Sequence, residues 1–267
     1  MQSRERAQEG EVRGLQLPRL TLHQPSRVSK AIRVNAGEAL HALSANDPHR
    51  HHRRLRRRPS LKTVIWRHPA PLWRGNPPVG FIRPCEPTLT ERPPAGPGWL
   101  HEVKHDGFRI LVFKQLELVD IWSRRGADFT YRFPTIAKAV RALACNVALI
   151  DGEAVVLRND GRSDFVALLT KRGGAQASLV AFDLLRLNGD DLRLRPIEAR
   201  REALMKLLAG GEGFLFSEAL AAEGAVVFAK ACELGLEGIV SKRAGSFYRS
   251  GKSRNWLKTK NPDFVRT

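Results

Sequence analysis

Short apolar runs of strand length recur along the chain from Trp99 onward, and pairs of turn-forming residues separate them. Runs of this length, rich in Val, Ile, Leu and Phe and bounded by Gly, Asp or Asn, are typical of β-strands rather than helices. The pattern therefore predicts strands at Arg109–Phe113, Val119–Trp122, Val147–Ile150, Ala154–Leu157 and Leu179–Leu185.

Three dipeptides are strong signals for tight turns: Asp106-Gly107, Asp151-Gly152 and Asn188-Gly189. Asp, Asn and Gly tolerate the positive φ angles that two-residue hairpin loops need. Because Asp106-Gly107 lies between two strand-like runs, the sequence predicts a hairpin there, and it predicts a further turn at each of the other two pairs.

Helical patterns are fewer than strand patterns. One begins at Pro196, which suits a first helical turn, and runs through Leu207-Leu208 to Gly210. A second runs over residues 225–234 and stops at Gly235. Strands that do not alternate regularly with helices predict an α+β fold with mostly antiparallel sheets.

Residues 1–78 show no sustained helical or strand periodicity, and a Pro/Gly-rich passage from Pro69 to Gly98 overlaps their end. We therefore predict two regions, a basic N-terminal extension of low order (1–78) and a folded domain (79–267). No internal repeat is apparent in the sequence.

The net charge of +18 indicates a polyanionic partner, nucleic acid before membrane. Residues 1–78 hold 16 Lys/Arg against 5 Asp/Glu, so most of the excess lies there, densest at 49–59 (HRHHRRLRRRP). Two interpretations stay open: an arm that binds phosphates nonspecifically, or a disordered tail or sequence upstream of the true start.

Composition excludes several classes of protein. No apolar run approaches the length of a membrane span, and the N-terminus lacks the apolar region of a secretory signal. The three cysteines are far apart and form no C-x-x-C pair, which argues against a disulfide framework or a structural zinc site. We expect a cytoplasmic protein with no membrane partner.

Lys104 is the residue whose position is hardest to explain structurally, because it ends a strand-like run beside the Asp106-Gly107 pair. A lysine there can face a cleft, where burial or neighbouring cations lower its pKa and free the amine as a nucleophile. The alternative is a solvated lysine beside a hairpin.

Six blocks together resemble the covalent nucleotidyltransferases, most closely the ATP-dependent DNA ligases, and among these the ligase domain of bacterial ligase D and its stand-alone homologues. Each block is weak alone, but their order and spacing make the resemblance specific. In chain order they are KHDG at 104–107 followed by Arg109, SRRG at 123–126, LIDGE at 149–153, AFD at 181–183, LEGIVSKR at 236–243 and WLKTK at 256–260.

The resemblance implies an antiparallel, ATP-grasp-like nucleotidyltransferase fold with ATP bound between two sheets, and it assigns the nucleophile to Lys104. Lys258 and Lys260, two apart on a strand-like run, are implied to face the α-phosphate. Arg109 and Arg124 occupy positions that contact the nucleotide or the DNA 5′-phosphate, a task suited to the guanidinium fork.

Four further residues have implied roles. Phe182 matches an aromatic that stacks on adenine, and Glu102 matches a position near adenine where the backbone can carry the contact. Glu153 and Glu237 are the carboxylates implied for ribose and metal recognition, with Mg²⁺ or Mn²⁺ as the ion. Asp106 is expected to orient its turn rather than to bind a ligand, and Arg125 to be a surface charge.

The implied reaction forms lysyl-AMP from ATP, passes AMP to the 5′-phosphate of nicked double-stranded DNA, and seals the strand. Partners from end joining, such as Ku or a polymerase subunit, are consistent with the resemblance, and a monomer is the default expectation. The sequence stops seven residues after Lys260. The family's OB-fold domain follows that point, so we expect poor nick sealing unless a partner supplies that domain.

Two alternatives belong to other classes. One is a nonenzymatic DNA-binding remnant in which the basic arm dominates and the pocket is vestigial. The other is an RNA ligase or an mRNA-capping guanylyltransferase, which share the lysine and the later blocks.

Overall fold

The computed structural model describes residues 78–220 and 222–267. Strands in this part are β1 (Cys85–Thr90), β2 (Trp99–Val103), β3 (Phe108–Gln115), β4 (Leu118–Ser123), β5 (Val147–Val155), β6 (Ser178–Leu187), β7 (Asp190–Asp191), β8 (Phe214–Phe216), β9 (Gly238–Arg243) and β10 (Gly251–Lys260). Helices are α1 (Pro134–Arg141), α2 (Phe165–Leu169), α3 (Lys171–Ala175), α4 (Ile197–Leu208) and α5 (Gly224–Glu233), with a 3₁₀ turn at Thr130–Arg132.

The strands form two sheets. The small sheet has the order β1-β10-β9-β2, and the large sheet has the order β4-β3-β5-β6-β7 with β8 added beside β6. Pairing is antiparallel except for β1 with β10 and β6 with β8. The predicted α+β fold with mostly antiparallel sheets is confirmed.

Strand β3 shows how the sequence builds both faces of the large sheet. Ile110 and Val112 enter a core formed with helices α1 and α4, whereas Leu111 between them enters a second core against the small sheet. Successive side chains of a strand point to opposite faces, so the part of β3 that is covered on both sides, residues 110–113, is a continuous apolar run. A third cluster packs α5 on the small sheet through Val227 and Ile239.

Several local predictions are confirmed. Helix α4 begins directly after Pro196, and α5 ends just before Gly235. The Asn188-Gly189 pair forms the two-residue turn between β6 and β7, with φ angles of 47° and 102°. Positive φ at both positions is the geometry of a type I′ turn.

Two predicted turns are wrong. Asp106-Gly107 joins β2 of the small sheet to β3 of the large sheet, so it is a crossover and not a hairpin. Asp151-Gly152 lies inside β5, which continues from Val147 to Val155. Both glycines are needed for close approach: an added Cβ would lie 2.2 Å from the Ala154 oxygen at Gly107 and 2.7 Å from the Val180 oxygen at Gly152.

The basic extension predicted for residues 1–78 falls, except for Pro78, outside the described residues, and the boundary near residue 78 stays a prediction. Within the described part of the chain, no helix combines the length and apolarity that crossing a membrane requires.

Candidate active site

A cavity of about 1090 Å³ opens between the two sheets, and we call it the inter-sheet cavity. Its walls come from the strands of the small sheet, the 104–107 crossover and the facing strands of the large sheet. Most of the residues singled out from the sequence line it, namely Glu102, Lys104, Arg109, Arg124, Glu153, Phe182 and Lys258. Glu237 and Lys260 join this group through ion pairs.

Lys104 meets a carboxylate at the wall of the cavity. Its Nζ donates to Glu237 Oε2 at 2.6 Å, with the Lys104 side chain 22% and the Glu237 side chain 5% exposed. Lys260 Nζ lies 3.3 Å from the other carboxylate oxygen. The sequence led us to expect burial and neighbouring cations around Lys104; the structure shows the partial burial but puts a carboxylate in direct contact with it.

Pairing of β2 with β9 explains this contact. Val103 is opposite Ile239, and the Lys104 amide donates to the Gly238 oxygen at 3.0 Å. Lys104 therefore leaves β2 where Glu237 enters β9. An added Cβ at Gly238, whose φ is 136°, would lie 2.1 Å from the Thr259 oxygen, so only glycine allows the three strands to meet there.

Lys258 lies on β10, half-buried in the cavity wall. Burial lowers the pKa of its ammonium, and the positive charges of Lys104, Lys260 and Arg124 lower it further. The second lysine of the Lys-x-Lys block, Lys260, is about half exposed and reaches Glu237.

Arg109 is held by a buried carboxylate. Its Nε and Nη2 donate to the two oxygens of Asp151 at 3.0 and 2.7 Å, and the Tyr248 hydroxyl donates to Asp151 at 2.6 Å. Burial alone would lower the pKa of Arg109, but the Asp151 carboxylate raises it above its usual range. The pair uses one edge of the guanidinium, so only the remaining N–H groups of Arg109 can meet a ligand.

Glu102 is enclosed by donors. Its carboxylate accepts from Arg201 Nη1 at 2.5 Å, Lys242 Nζ at 2.9 Å and Ser217 Oγ at 2.8 Å, and the residue is 2% exposed. A carboxylate surrounded in this way stabilises the wall of the cavity. Its backbone on β2 is the part of Glu102 that remains for a ligand.

Phe182 lies in the same wall, between aromatic and cationic neighbours. Lys242 Nζ lies 4.5 Å from the Phe182 ring centroid and 4.3 Å from that of Trp256, and the two rings meet edge to face at 6.1 Å. Burial lowers the pKa of Lys242, while Glu102 raises it. The Trp256 Nε1–H is buried and has no hydrogen-bond acceptor among the described residues.

Glu153 lies in the middle of β5, opposite Arg109 on β3, and not after a turn as the sequence led us to expect. Burial raises the pKa of Glu153 to about 7, although Lys104 and Arg109 lower it. Its backbone is paired with β3 and β6, but within the described residues its side chain forms no salt bridge or hydrogen bond. Its carboxyl is thus available to a cation or a ligand hydroxyl.

Glu153 and Glu237 are the two carboxyl residues that the sequence implied for a divalent cation. Glu237 forms an ion pair with Lys104. Glu153 lies near both residues, since Lys104 lowers its pKa and Glu237 raises it. No group of three or more His, Cys, Asp or Glu that could hold a metal occurs in residues 78–220 and 222–267. Two carboxylates with phosphate and water oxygens are the ligand set that Mg²⁺ prefers at nucleotide sites.

Arg124 and Arg125 are exposed at the mouth of the cavity, on the turn after β4. The turn is closed by the Gly126 amide, which donates to the Ser123 oxygen at 2.9 Å, and Gly126 has a φ of 87°. Arg125 is a surface charge as predicted, but it lines the same cavity. These two cations face the solvent side of the site.

Sequence reasoning missed several members of the site. Asp151, Lys242 and Trp256 fall inside recognised blocks but were given no role, and Arg201 and Ser217 lie outside them. His105 was also missed; burial and then Lys104 lower its pKa to about 4, so it is neutral near pH 7. The i, i+2 spacing of Trp256 and Lys258 on one strand is a signal that could have placed Trp256 in the wall.

The fold and the site define a class of protein. Two sheets enclose a nucleotide-sized cavity with a lysine at its wall, and residues 90–260 match the family model described as ATP dependent DNA ligase domain. The chain therefore belongs to the ATP-dependent DNA ligase adenylation domain family. The match favours a DNA ligase over the RNA ligase and capping alternatives.

Among its relatives are LigD proteins of bacterial end joining. The chain is 40% identical over 185 residues to the multifunctional non-homologous end joining protein LigD of Pseudomonas aeruginosa, covering 67% of this chain and 22% of that protein. It is 27% identical over 190 residues to the SPbeta prophage-derived DNA ligase-like protein LigB of Bacillus subtilis, covering 69% of each.

Among solved structures, the ligase domain of M. tuberculosis LigD superposes with a TM-score of 0.56 at 30% identity, covering 66% of this chain and 60% of that one. A mycobacterial DNA ligase D complexed with ATP and MES gives a TM-score of 0.53 at 29% identity, covering 65% of this chain and 60% of that one. The chain thus spans about a fifth of the full LigD relative and three fifths of the solved ligase domains.

Proposed function

We propose that the chain is a DNA ligase that forms lysyl-AMP on Lys104 from ATP and transfers AMP to the 5′-phosphate of nicked double-stranded DNA. The strand is then sealed, in repair or recombination. The observation that carries the proposal is the position of Lys104 at the wall of the inter-sheet cavity, with its Nζ 2.6 Å from Glu237.

In the first step the Lys104 Nζ attacks the α-phosphorus of ATP. A nitrogen–phosphorus bond forms, the bond from the α-phosphorus to the bridging oxygen breaks, and pyrophosphate leaves with that electron pair. The amine must lose a proton to attack, and Glu237 Oε2 is the acceptor in contact with it.

Cations around the cavity would offset the negative charge of the phosphates. Lys258 lies in the wall, Arg124 lies at the mouth, and Lys260 lies beside Glu237. Phosphoryl transfer depends mainly on positioning and charge neutralisation, and fixed cations in a partly buried cavity are effective at both. We assign these three residues to the phosphates, and the remaining N–H groups of Arg109 to the nucleotide.

The base would lie against Phe182. Its ring is in the cavity wall, and cations hold it through Lys242 at 4.5 Å and Arg109 at 5.3 Å from the ring centroid. A fixed aromatic face favours stacking on a purine. Glu102 contributes its backbone, because donors already enclose its carboxylate.

Glu153 and Glu237 would hold Mg²⁺ or Mn²⁺. When bound, the ion neutralises charge on the phosphates. Glu153 is suited to this because its carboxyl lies in the cavity without a salt bridge in the described residues. Both Glu237 oxygens are already paired, one with Lys104 and the other with Lys260, so Glu237 would share its carboxylate between these lysines and the ion.

We further propose that the protein acts as a monomer on DNA in the bacterial cytoplasm, at the nucleoid and with no membrane partner. The end-joining relatives support a link to Ku, to a polymerase or to a separate OB-fold subunit. The positive net charge supports a nucleic-acid substrate.

The test is a pulse and chase. The chain is incubated with α-labelled ATP and Mn²⁺, freed of nucleotide, and mixed with duplex DNA that carries a nick with a 5′-phosphate. We expect the label to move from protein to the DNA 5′ end. A nick with a 5′-hydroxyl is the matched control and should accept none. Label that stays on the protein with both nicks would contradict the transfer step.

A further inference from the structure

Residues 261–267, which follow β10, fold back over the crossover that carries Lys104; we call them the strap. Arg266 of the strap forms two parallel hydrogen bonds to Asp106, from Nε to Oδ2 at 2.8 Å and from Nη2 to Oδ1 at 2.6 Å. Asp106 is 4% exposed, two residues from Lys104. A fork-to-fork pair fixes the orientation of a carboxylate as well as its distance.

The other end of the strap holds the residue that faces Lys104. The Asn261 backbone N–H donates to the backbone carbonyl oxygen of Glu237 at 3.0 Å, and its side-chain Nδ2 donates to the backbone carbonyl oxygen of Leu236 at 3.1 Å. Asn261 is 6% exposed. One short segment therefore fixes the backbone on both sides of the Lys104–Glu237 contact, through Asn261 at one end and Arg266 at the other.

The strap is itself anchored on the large sheet side. The Arg266 guanidinium lies 4.3 Å from the Phe165 ring centroid, and the Val166 N–H donates to the Thr267 oxygen at 3.1 Å. Asp106 thus connects the crossover to α2, whose first residues are Phe165 and Val166. At its start, the crossover is bonded to the small sheet through the Lys104 amide, which donates to the Gly238 oxygen.

Burial distinguishes positioning from a role in folding. The Arg266 side chain is 54% exposed and adds little to any core, whereas its partner is buried. Loss of the guanidinium therefore leaves the cores intact but leaves the Asp106 carboxylate without its ion partner, and the crossover must shift to rehydrate it. This shift of the crossover would displace Lys104, which is part of it.

We propose that Arg266 is a positioning residue that acts through Asp106 to set the Lys104 amine for attack. This inference rests on the proposed function in one respect, because adenylation of Lys104 is the step that it positions. Arg266 touches neither nucleotide nor metal in this scheme. Its removal should therefore lower the maximum rate of adenylation and leave the half-saturating ATP concentration unchanged.

The first experiment compares Arg266→Gln, Arg266→Lys, Asp106→Asn and the double variant Asp106→Asn/Arg266→Gln. Lysyl-AMP formation is followed over a range of ATP concentrations. We expect Arg266→Gln to lower the maximum rate about tenfold or more, since small misplacement of a reacting group is costly. Arg266→Lys should recover part of the rate, and Arg266→Gln should have no further effect in the Asp106→Asn background.

The matched control is Arg193→Gln, which breaks another arginine–aspartate pair, with Asp191 of β7. It should adenylate at the wild-type rate. A raised half-saturating ATP concentration with an unchanged maximum rate in Arg266→Gln would overturn the proposal, because Arg266 would then be a ligand contact. Additive effects of Asp106→Asn and Arg266→Gln would also overturn it.

Hydrogen exchange provides a readout that does not depend on activity. In the wild type the Lys104 amide is bonded to the Gly238 oxygen. Arg266→Gln should speed exchange of residues 104–107 and leave the protection of β5 unchanged. Unchanged exchange at 104–107 would overturn the proposal that the strap holds the crossover. If the wild type forms no lysyl-AMP, the proposed function fails, and the exchange comparison still decides whether Arg266 holds the crossover.

Discussion

Pairing between a cation and a buried carboxylate recurs at the residue scale in the walls of the inter-sheet cavity. Each pair holds the side chain of one cation in place. The cations of the cavity that form no such pair can contact a ligand. In the described residues neither Lys258 nor Arg124 forms a salt bridge, so these two are available. Three such pairs have a cation that lines the cavity: Lys104 with Glu237, Arg109 with Asp151 and Lys242 with Glu102.

Lys242→Met tests the buried pair beneath Phe182. Methionine keeps most of the volume but removes a cation from Glu102, which retains Arg201 and Ser217. We expect the free energy of unfolding to fall by about 1–3 kcal/mol, because a buried carboxylate loses part of its compensation. Urea unfolding measures it.

Lys206→Met is the control for this substitution. Lys206 pairs with Glu202 on the exposed face of α4, where both side chains are about 60% exposed. A surface pair of this kind contributes little to stability because solvent screens it, so Lys206→Met should leave the free energy of unfolding nearly unchanged. Equal losses in the two variants would show that the Glu102 cluster contributes no more than a surface pair.

Burial of the Glu153 carboxyl makes the free energy of unfolding depend on pH. Its pKa is about 7 in the folded chain and ordinarily 4.5, so the folded state binds the extra proton between these values. The contribution of Glu153 to stability therefore falls as pH rises from about 4.5 to about 7. Glu153→Gln has no such proton and should gain stability relative to the wild type across this window, by on the order of 1 kcal/mol.

Thermal unfolding with and without Mn²⁺ checks this prediction. Above about pH 7 the ion should raise the melting temperature of the wild type more than that of Glu153→Gln, because it binds the ionised carboxyl. A stability difference that does not change with pH would contradict the assigned burial of Glu153.

At the scale of elements, the site depends on how closely β5 and β6 approach each other. At Gly152 an added Cβ would lie 2.5 Å from Leu179 Cδ1 and 2.7 Å from the Val180 oxygen. Gly152→Ala should therefore force the strands apart and lower the free energy of unfolding by about 2 kcal/mol or more. Thermal unfolding measures this loss.

Gly245→Ala is the matched control, since nothing lies within 4 Å of its added Cβ and only its φ of 70° opposes alanine. We expect about 1 kcal/mol there. A loss at Gly152 no larger than that at Gly245 would show that the strand contact relaxes freely.

Some elements could be predicted from sequence and others could not. The run from Pro196 to Leu208 and the Asn188-Gly189 turn carry their signals locally, in a first-turn proline and in residues that tolerate positive φ. The Asp106-Gly107 and Asp151-Gly152 pairs have the sequence of a tight turn but form none. Their glycines are required because a strand distant in sequence approaches the backbone closely at each of them. No local pattern tells these two cases apart.

The same division holds for the site. The blocks placed most of the predicted residues around one cavity, because each is a short segment at a strand end or in a strand. The partners could not be predicted, since Glu102 meets Arg201 across 99 positions and Asp106 meets Arg266 across 160. Such pairs depend on the tertiary arrangement of both sheets and leave no periodic trace.

For the whole molecule, the charge of +18 predicts strongly salt-dependent binding to DNA. Each phosphate neutralised by Lys or Arg releases counterions, so affinity for a nicked duplex should fall at least tenfold between roughly 50 and 200 mM salt. Fluorescence anisotropy over this range measures the dependence, with a neutral nucleic-acid analogue as control. Affinity that is independent of salt would contradict a phosphate-binding role for the basic residues.

The most direct measurement is the site of AMP on the protein. The chain is incubated with ATP and Mn²⁺, digested, and analysed by mass spectrometry, beside Lys104→Arg as the charge-conserving control. We predict one AMP on the peptide that contains Lys104 and none in the variant. Adduct on another lysine, or adduct that persists in Lys104→Arg, would contradict the assignment of Lys104 as the nucleophile.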